Sequence, residues 1–487
     1  MTKENEEKKK YRTHQIWIKK GHRMYGYFQG MTQNAKNLHN TTNFYIRQVY
    51  TGLTQGKELQ PLQKEVLDTI DKKIDSMNDV QLLAYQKSVM RQKDKPKEKQ
   101  TEVTCNLFSK PSKEHPYVNY HFLDALFKVV SQKDYRSLPA QSSQSVMKGV
   151  FQNWKSFYAS LKDYKQNPSK YNVKPKIPKY SRATEKETAF TNQDCVIKNK
   201  KFLKFPKTKK QLNIGKLGFA EGRLKQVRMI PKYNQYVVEL VMEISFEKTE
   251  LEDNGRFMSI DLGIDNLATI VTNTGRAPLL VKGKHVKSIN QYYNKKKAHL
   301  LGILRQGKQA NEGSFTSERL ERLHQKRFLK IKDIFHKASS EVIKIALEEN
   351  THTIIIGQNK AWKQKISIGK RINQSFVNIP HSLLISMITY KAKQHGMKVM
   401  VTEESYTSKA SFLDGDDIPT YGESDRKKHF SGKRIKRGLY LSSRNGFINA
   451  DVNGAANILK KAWLRLTKET DFNMETVNVW NPQTMSM

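Results

Sequence analysis

The chain has 487 residues, with 87 Lys and Arg against 46 Asp and Glu, a formal charge of +41. Hydrophobic residues are 37% and mean hydropathy is −0.73, lean but enough at this length to bury a core in about three or four domains. No run approaches the ~20 apolar residues of a membrane-spanning helix, and two cysteines, Cys105 and Cys195, exclude a disulfide framework and a four-cysteine zinc site. The start, MTKENEEKKKYRTHQ, has no apolar leader core, so a cytoplasmic, nucleoid-associated location is expected. So large a positive charge calls for a polyanion. A ~20-base-pair duplex carries about 40 phosphates, which suits a protein that encloses a long nucleic acid.

Residues 1–10 read as a charged, disordered tail, and THQIWI (13–18) as a short strand. From about 30 to 170 the pattern is helical. At 140–163, Val146, Val150, Trp154, Phe157 and Leu161 fall on one helical face, which reads as the core of a bundle. MRQKDKPKEKQT (90–101) is a charged loop. In 165–187, Pro175 and Pro178 prevent a helix. An extended segment bearing Lys174, Lys176, Lys179 and Arg182 suits contact with a nucleic-acid backbone, or else is a solvated linker. From 188 to 250 come short β-prone runs, TAFTN, DCVIKN, KFLKFP, QVRMIP and QYVVELVMEISF. They predict a small β-barrel or sheet that the strand at 13–18 completes.

After about 256 the pattern is α/β. FMSIDLGI, NLATIVTN and APLLVKG are strands, 288–349 is a long basic helical excursion, HTIIIG (352–357) and MKVMVTE (397–403) are strands, and helices cover about 380–395 and 452–464. Residues 405–446 look like loop. Three antiparallel-looking strands followed by alternating helices and strands is the RNase H-like order. In so basic a chain, acids at strand ends stand out. Asp261 ends FMSI, Glu403 and Glu404 end KVMVT, and Asp451 opens a helix in INADVNGAANIL. Three carboxylates meeting at one end of a sheet would hold Mg²⁺, a hard cation that prefers oxygen. Two such ions about 3.5–4 Å apart support phosphodiester cleavage. Singly, each acid is as well explained as a turn or cap residue.

SIDLGIDNLAT and INADVNGAANIL resemble the first and third RuvC motifs of the insertion-sequence TnpB proteins. ESYTSKAS resembles the block before their zinc-binding insert, and LPAQSSQ, FYASLKDYKQNP and KPKIPKY resemble their N-terminal half, so the likeness spans about 11–465. The resemblance implies an RNA-guided DNA endonuclease related to type V CRISPR effectors and Fanzor proteins. In that reading a structured guide RNA pairs with double-stranded target DNA beside a short adjacent motif, and one Mg²⁺-dependent RuvC site cuts both strands. It also implies an α+β multidomain fold. A β-barrel (wedge) is expected from 11–20 and 188–255, with a helical recognition lobe at 21–187 inserted in it. A RuvC-like domain at 256–404 and 447–470 carries a helical lid at 288–337. A target-strand-loading insert occupies 405–446, the tail 471–487 is disordered, and the protein is expected to be a monomer.

Two departures shape the site. The family's glutamate at the end of HTIIIG is Gly357 here, and the insert carries no cysteine, so no zinc is expected. Either the nuclease is dead and the protein is an RNA-guided repressor, or Glu404 supplies the ligand, as an acid before the TS block does in some relatives. Strand alternation lets only one of Glu403 and Glu404 face inward, and motif position favours Glu404. The expected catalytic and metal set is therefore Asp261, Glu404 and Asp451, with two Mg²⁺. Nucleic-acid contacts are expected from Lys295, Lys296, Lys297, Arg305 and Lys308, and from Lys427, Lys428, Lys433, Arg434, Lys436 and Arg437. A DNA transposase without RNA is the reading from another class.

Overall fold

The structure, a computed structural model, describes residues 10–217, 222–244, 251–359, 379–420, 429–444, 446–467 and 472–487. Residues 1–9 of the expected N-terminal tail, and Lys427 and Lys428, lie outside the described residues. The chain divides into two compact units between residues 246 and 247. Among the described residues no helix is long and apolar enough to cross a membrane.

In the first unit, helices α1 (Tyr25–Thr54), α2 (Pro61–Lys93), α3 (Tyr120–Val129), α4 (Lys133–Ser137) and α5 (Ala140–Gln166) form a bundle. The α5 stripe is its core: Val146, Val150, Trp154 and Phe157 pack with Leu38 and Ile46 of α1 and Ile70 of α2, while Leu161 stays partly buried at the margin. Trp154 Nε1 donates to Asn43 Oδ1 at 2.8 Å, so the largest core ring leaves no buried donor unpaired. The strands are β1 (Lys10–Ile18), β2 (Thr188–Thr191), β3 (Val196–Lys198), β4 (Phe202–Lys204), β5 (Gln211–Asn213), β6 (Arg223–Lys232) and β7 (Gln235–Ile244). They pair as an antiparallel four-stranded sheet, β1-β7-β6-β2, and a three-stranded one, β3-β4-β5. Where a barrel was expected, hydrogen bonding thus runs in two sheets, and Ile18, Phe190, Leu203, Leu212, Val227 and Val238 share one core between them.

The second unit is built on β8 (Phe257–Asp261), β9 (Asn266–Thr272) and β10 (Leu279–Lys282), an antiparallel meander. Helices α6 (Lys284–Arg305) and α7 (Glu318–Glu348) follow. Then β11 (Thr353–Gly357) pairs parallel to β8, α8 (His381–Gln394) crosses, and β12 (Lys398–Thr402) pairs parallel to β11. Strands covered on both faces read as unbroken apolar runs, which is why FMSI and TIII do not alternate. Met258, Ile260, Ile354 and Ile356 face α7 and α8. Phe257 and Ile355 face the other way, toward α9 (Ala450–Thr467), and Ser259 Oγ on that face donates to the carbonyl of Ala455 at 2.7 Å.

Two expectations are corrected. The insert is not only loop: β13 (Lys433–Lys436), β14 (Leu439–Ser442) and β15 (Gly446–Ile448) form an antiparallel sheet. Two acids tie it down. Asp414 accepts from Ser442 Oγ and from the N–H groups of Ser443 and Arg444, and Asp416 from the N–H groups of Ser411 and Ser431. The tail 471–487 is not disordered over its described part, 472–487. Val477 and Val479 are buried beside α9, and β16 (Gln483–Met485) pairs parallel to β10 as the sixth strand, giving the order β12-β11-β8-β9-β10-β16. The alternation in VNVW carried that signal, and the open β10 edge supplied the partner.

Candidate active site

Asp261 is the last residue of β8, and the period of two puts it on the α9 side of the sheet with Phe257 and Ser259. Gly357 ends β11 on the same side, because Ile356 pairs with Ile260 one step earlier. A Cβ at 357 would lie 2.8 Å from Glu404 Oε2 and 2.5 Å from Ile458 Cδ1. The carboxylate of Glu404 therefore fills the space that a side chain on β11 would take. It reaches there from the next strand, two residues beyond Thr402, the β12 partner of Gly357. The Glu404 N–H donates to Asn359 Oδ1 at 3.0 Å, which pins the turn. A second close approach lies on α9, where a Cβ at Gly454 would sit 2.9 Å from Asp261 Oδ2.

Asp451 is not needed as a cap, since Asn449 Oδ1 accepts the N–H groups of Asp451 and Val452. Its carboxylate is free for other work: Oδ2 accepts from Asn266 Nδ2 at 2.7 Å and Oδ1 from Arg434 at 3.2 Å. Glu403 turns away from this cluster. Its Oε2 meets Lys461 Nζ at 2.5 Å and its Oε1 accepts the Ser405 N–H at 2.8 Å.

Asp261 feels the charge of Asp451, and Glu404 that of Asp261. Burial and the Asp451 charge push Asp261 up to about 7, against the pull of Arg434. Burial and the Asp261 charge push Glu404 up to about 8. Burial also raises Glu403, but Lys461 and Ser405 outweigh it and hold it below the usual carboxylate range. All-oxygen donors crowded against their own charge suit a hard dication. Among the described residues no three of His, Cys, Asp and Glu are grouped so as to hold a metal ion as they stand, and Asp451 is turned to Asn266 and Arg434. A stability prediction follows. In the folded state Asp261 and Glu404 keep protons that the unfolded chain has lost by about pH 5. The Tm of metal-free protein is therefore expected to fall as pH rises from about 5 to 8. Millimolar Mg²⁺ should restore it at pH 8, and Asp261→Asn should flatten the pH dependence. Thermal melts without chelatable metal check this, and a Tm that rises with pH across that window counts against the cluster.

The basic residues sort into two kinds. Lys174, Lys176, Lys179 and Arg182 are exposed on an extended segment strapped along α1. Asn40 exchanges two hydrogen bonds with the Ser181 backbone, and Asn43 and Arg47 donate to the Pro178 carbonyl. The backbone is thus bound while the cations face out. Lys295 and Lys296 are exposed on α6, whereas Lys297 is half-buried over the Tyr293 ring. Lys433 and Lys436 are exposed on β13. Arg434 and Arg437 are also exposed and pair with acids: Arg434 with Asp451, and Arg437 Nε with Asp265 at 2.6 Å. The residues missed from sequence line a cavity of about 540 Å³ beside Asp451: Lys282, Lys284 and Lys287, with Asn449 and Gln291. Their only sequence signal was the basic run KGKHVK after APLLV.

A meander followed by two parallel strands, with acids where β8 and β12 end and where α9 begins, defines an RNase H-like domain of the RuvC kind. Residues 235–363 match the family described as probable transposase, and residues 381–458 match the Cas12f1-like TNB domain. A TnpB-like protein of Acidianus two-tailed virus is 28% identical over 209 residues, covering 42% of this chain and 41% of the viral protein. The chain thus spans about two fifths of the length of the curated relative it matches. Among solved structures, a Cas12f1–sgRNA–target DNA complex aligns at 11% identity and a TM-score of 0.43, over 92% of this chain and 98% of that one. An AacC2c1–sgRNA ternary complex with extended non-target DNA aligns at 9% identity and a TM-score of 0.37, over 86% and 72%. Over these segments the chain is similar to TnpB proteins and to Cas12f1-like domains.

Proposed function

We propose that the protein is an RNA-guided DNA endonuclease with a single RuvC-type site made of Asp261, Glu404 and Asp451. The observation that carries this reading is the Glu404 carboxylate lying in the space above Gly357, beside Asp261. The family's missing glutamate is thereby replaced from the neighbouring strand rather than lost. Asp261, Glu404 and Asp451 would hold Mg²⁺, which when bound activates water and stabilises the leaving oxygen in phosphodiester hydrolysis. Gly357 and Gly454 leave the carboxylates room, and Asn266 orients Asp451. In this reading Lys433 and Lys436, with Lys282 and Lys284 of the cavity, would neutralise the phosphates of the strand being cut. In this reading the strap bearing Lys174, Lys176, Lys179 and Arg182, and the α6 lysines, serve the guide RNA and its duplex with the target.

The test is cutting of a plasmid that carries the guide-matched target, in Mg²⁺. Target binding without cutting in any divalent metal makes the protein a guided repressor. Cutting without RNA supports a transposase. A further expected result is that the purified protein carries an RNA of defined length from the flank of its own gene, read by sequencing the bound nucleic acid. Its affinity should fall about 10³-fold or more between 50 and 200 mM salt, as expected when many phosphates are neutralised. Random cellular RNA alone would count against the guided reading.

A further inference from the structure

Glu403 and Lys461 have no part in the site as described so far. Lys461 lies on α9, the helix that starts at Asp451, and its side chain is only 3% exposed. Its ammonium donates to Glu403 Oε2 (2.5 Å), to the Ser405 carbonyl (3.0 Å) and to the Pro419 carbonyl (3.1 Å). Two of those acceptors bracket Glu404. Asn453 and Asn457 precede Lys461 at spacings of four, so the three share one helix face. Asn457 Nδ2 donates to the carbonyls of Thr407 and Ala410, and Asn453 donates to Ala410 and accepts the Phe412 N–H. The segment after β12 is thus stitched to the helix that carries Asp451. Within it Tyr406 has a φ of 68°, a conformation a bulky residue adopts only when its surroundings impose it. Burying the Lys461 ammonium is a poor device for stability alone, because its desolvation offsets much of the attraction to the partly exposed Glu403. Here its geometry does something specific: it holds the side chain before Glu404 and the backbone carbonyl after it.

We propose that Lys461 and Glu403 are a positioning pair that holds the Glu404 carboxylate over Gly357 at a set separation from Asp451. The inference rests on the nuclease reading of the acids. It assigns Glu403 a role without making it a ligand.

The test uses full-length protein stripped of nucleic acid at high salt, with Mn²⁺ alone as the probe and paramagnetic resonance as the readout. Binding that Asp261→Asn removes defines the site. Lys461→Met is expected to weaken that binding by roughly 10–100-fold, the usual cost of losing a group that orients a ligand. The Mg²⁺ needed for half-maximal cutting should rise in step, with KM for target DNA unchanged. Lys461→Arg, which keeps the cation, should recover part of the loss. If Lys461→Met does not fold, Glu403→Gln, of the same shape, decides by the same titration. Mn²⁺ affinity within twofold of wild type in the folded variants overturns the positioning role and leaves the nuclease reading intact. No Asp261-dependent Mn²⁺ binding in the wild type overturns both.

Discussion

Glu404→Gln is expected to lower the single-turnover cutting rate by about 10³-fold or more, with guided binding to target DNA unchanged. The substitution keeps the side chain's shape above Gly357 and removes only the charge, so a loss of cutting reports on ligation rather than packing. Asp261→Asn and Asp451→Asn are expected to do the same. The three residues act as one unit, so a double variant should look like a single one. Glu403→Ala should cost far less, because that carboxylate faces Lys461 and not the cluster. The measurement is cutting of plasmid in Mg²⁺ alongside a gel-shift for binding. Normal cutting by Glu404→Gln, with none by Glu403→Gln, would move the ligand back by one residue.

Gly357→Ala should be nearly as damaging, by a different route. The new Cβ would stand 2.8 Å from Glu404 Oε2 and 2.5 Å from Ile458 Cδ1, so both side-chain ends must shift. The carboxylate must move off the sheet, so cutting is expected to fall at least about a hundredfold. Overpacking against Ile458 should cost about 1–3 kcal/mol of stability. The sharper version exchanges the two positions. Gly357→Glu with Glu404→Ala places the acid back on β11, and Ile458→Val removes the methyl that would block it. That triple variant is expected to cut faster than Glu404→Ala alone. If it is as dead as Glu404→Ala while Gly357→Ala cuts normally, the two positions do not share one space.

The acids were legible because each sits where a pattern changes: Asp261 after an unbroken apolar strand, Asp451 at the head of a helix, Glu404 after KVMVT. The face each one takes follows from the period of two and from which strands are neighbours, so Asp261 and Gly357 could be aligned once β8 and β11 were paired. The reach of Glu404 was legible from motif position, not from local physics. No propensity tells that a side chain two residues past β12 lies over β11, because that depends on the Asn359 bond and on Ile458 across the sheet. Lys461 was equally silent. In sequence it is a second lysine in ILKKAW, and only the helix face shared with Asn453 and Asn457 separates it from Lys460. The ion pairs of Arg434 with Asp451 and of Arg437 with Asp265 were also hidden, because charge counts say nothing of partners. The tail was misjudged for want of its neighbour, since three residues make a strand only where an edge awaits them.

The way Asp414 and Asp416 tie the insert has a consequence for the conditions it withstands. Residues 405–446 contain no cysteine, so no thiol there can be oxidised. Burial alone would raise Asp414, yet its serine and backbone donors hold it down at about 2. A carboxylate held that low keeps its charge through moderate acidification and surrenders its bonds only as pH falls toward that value. Peroxide or a chelator that springs open a thiolate–metal knot would find no such knot among these residues. The Asp414 tie is thereby uncoupled from the redox poise of the cell, and acid loosens it only near that low value.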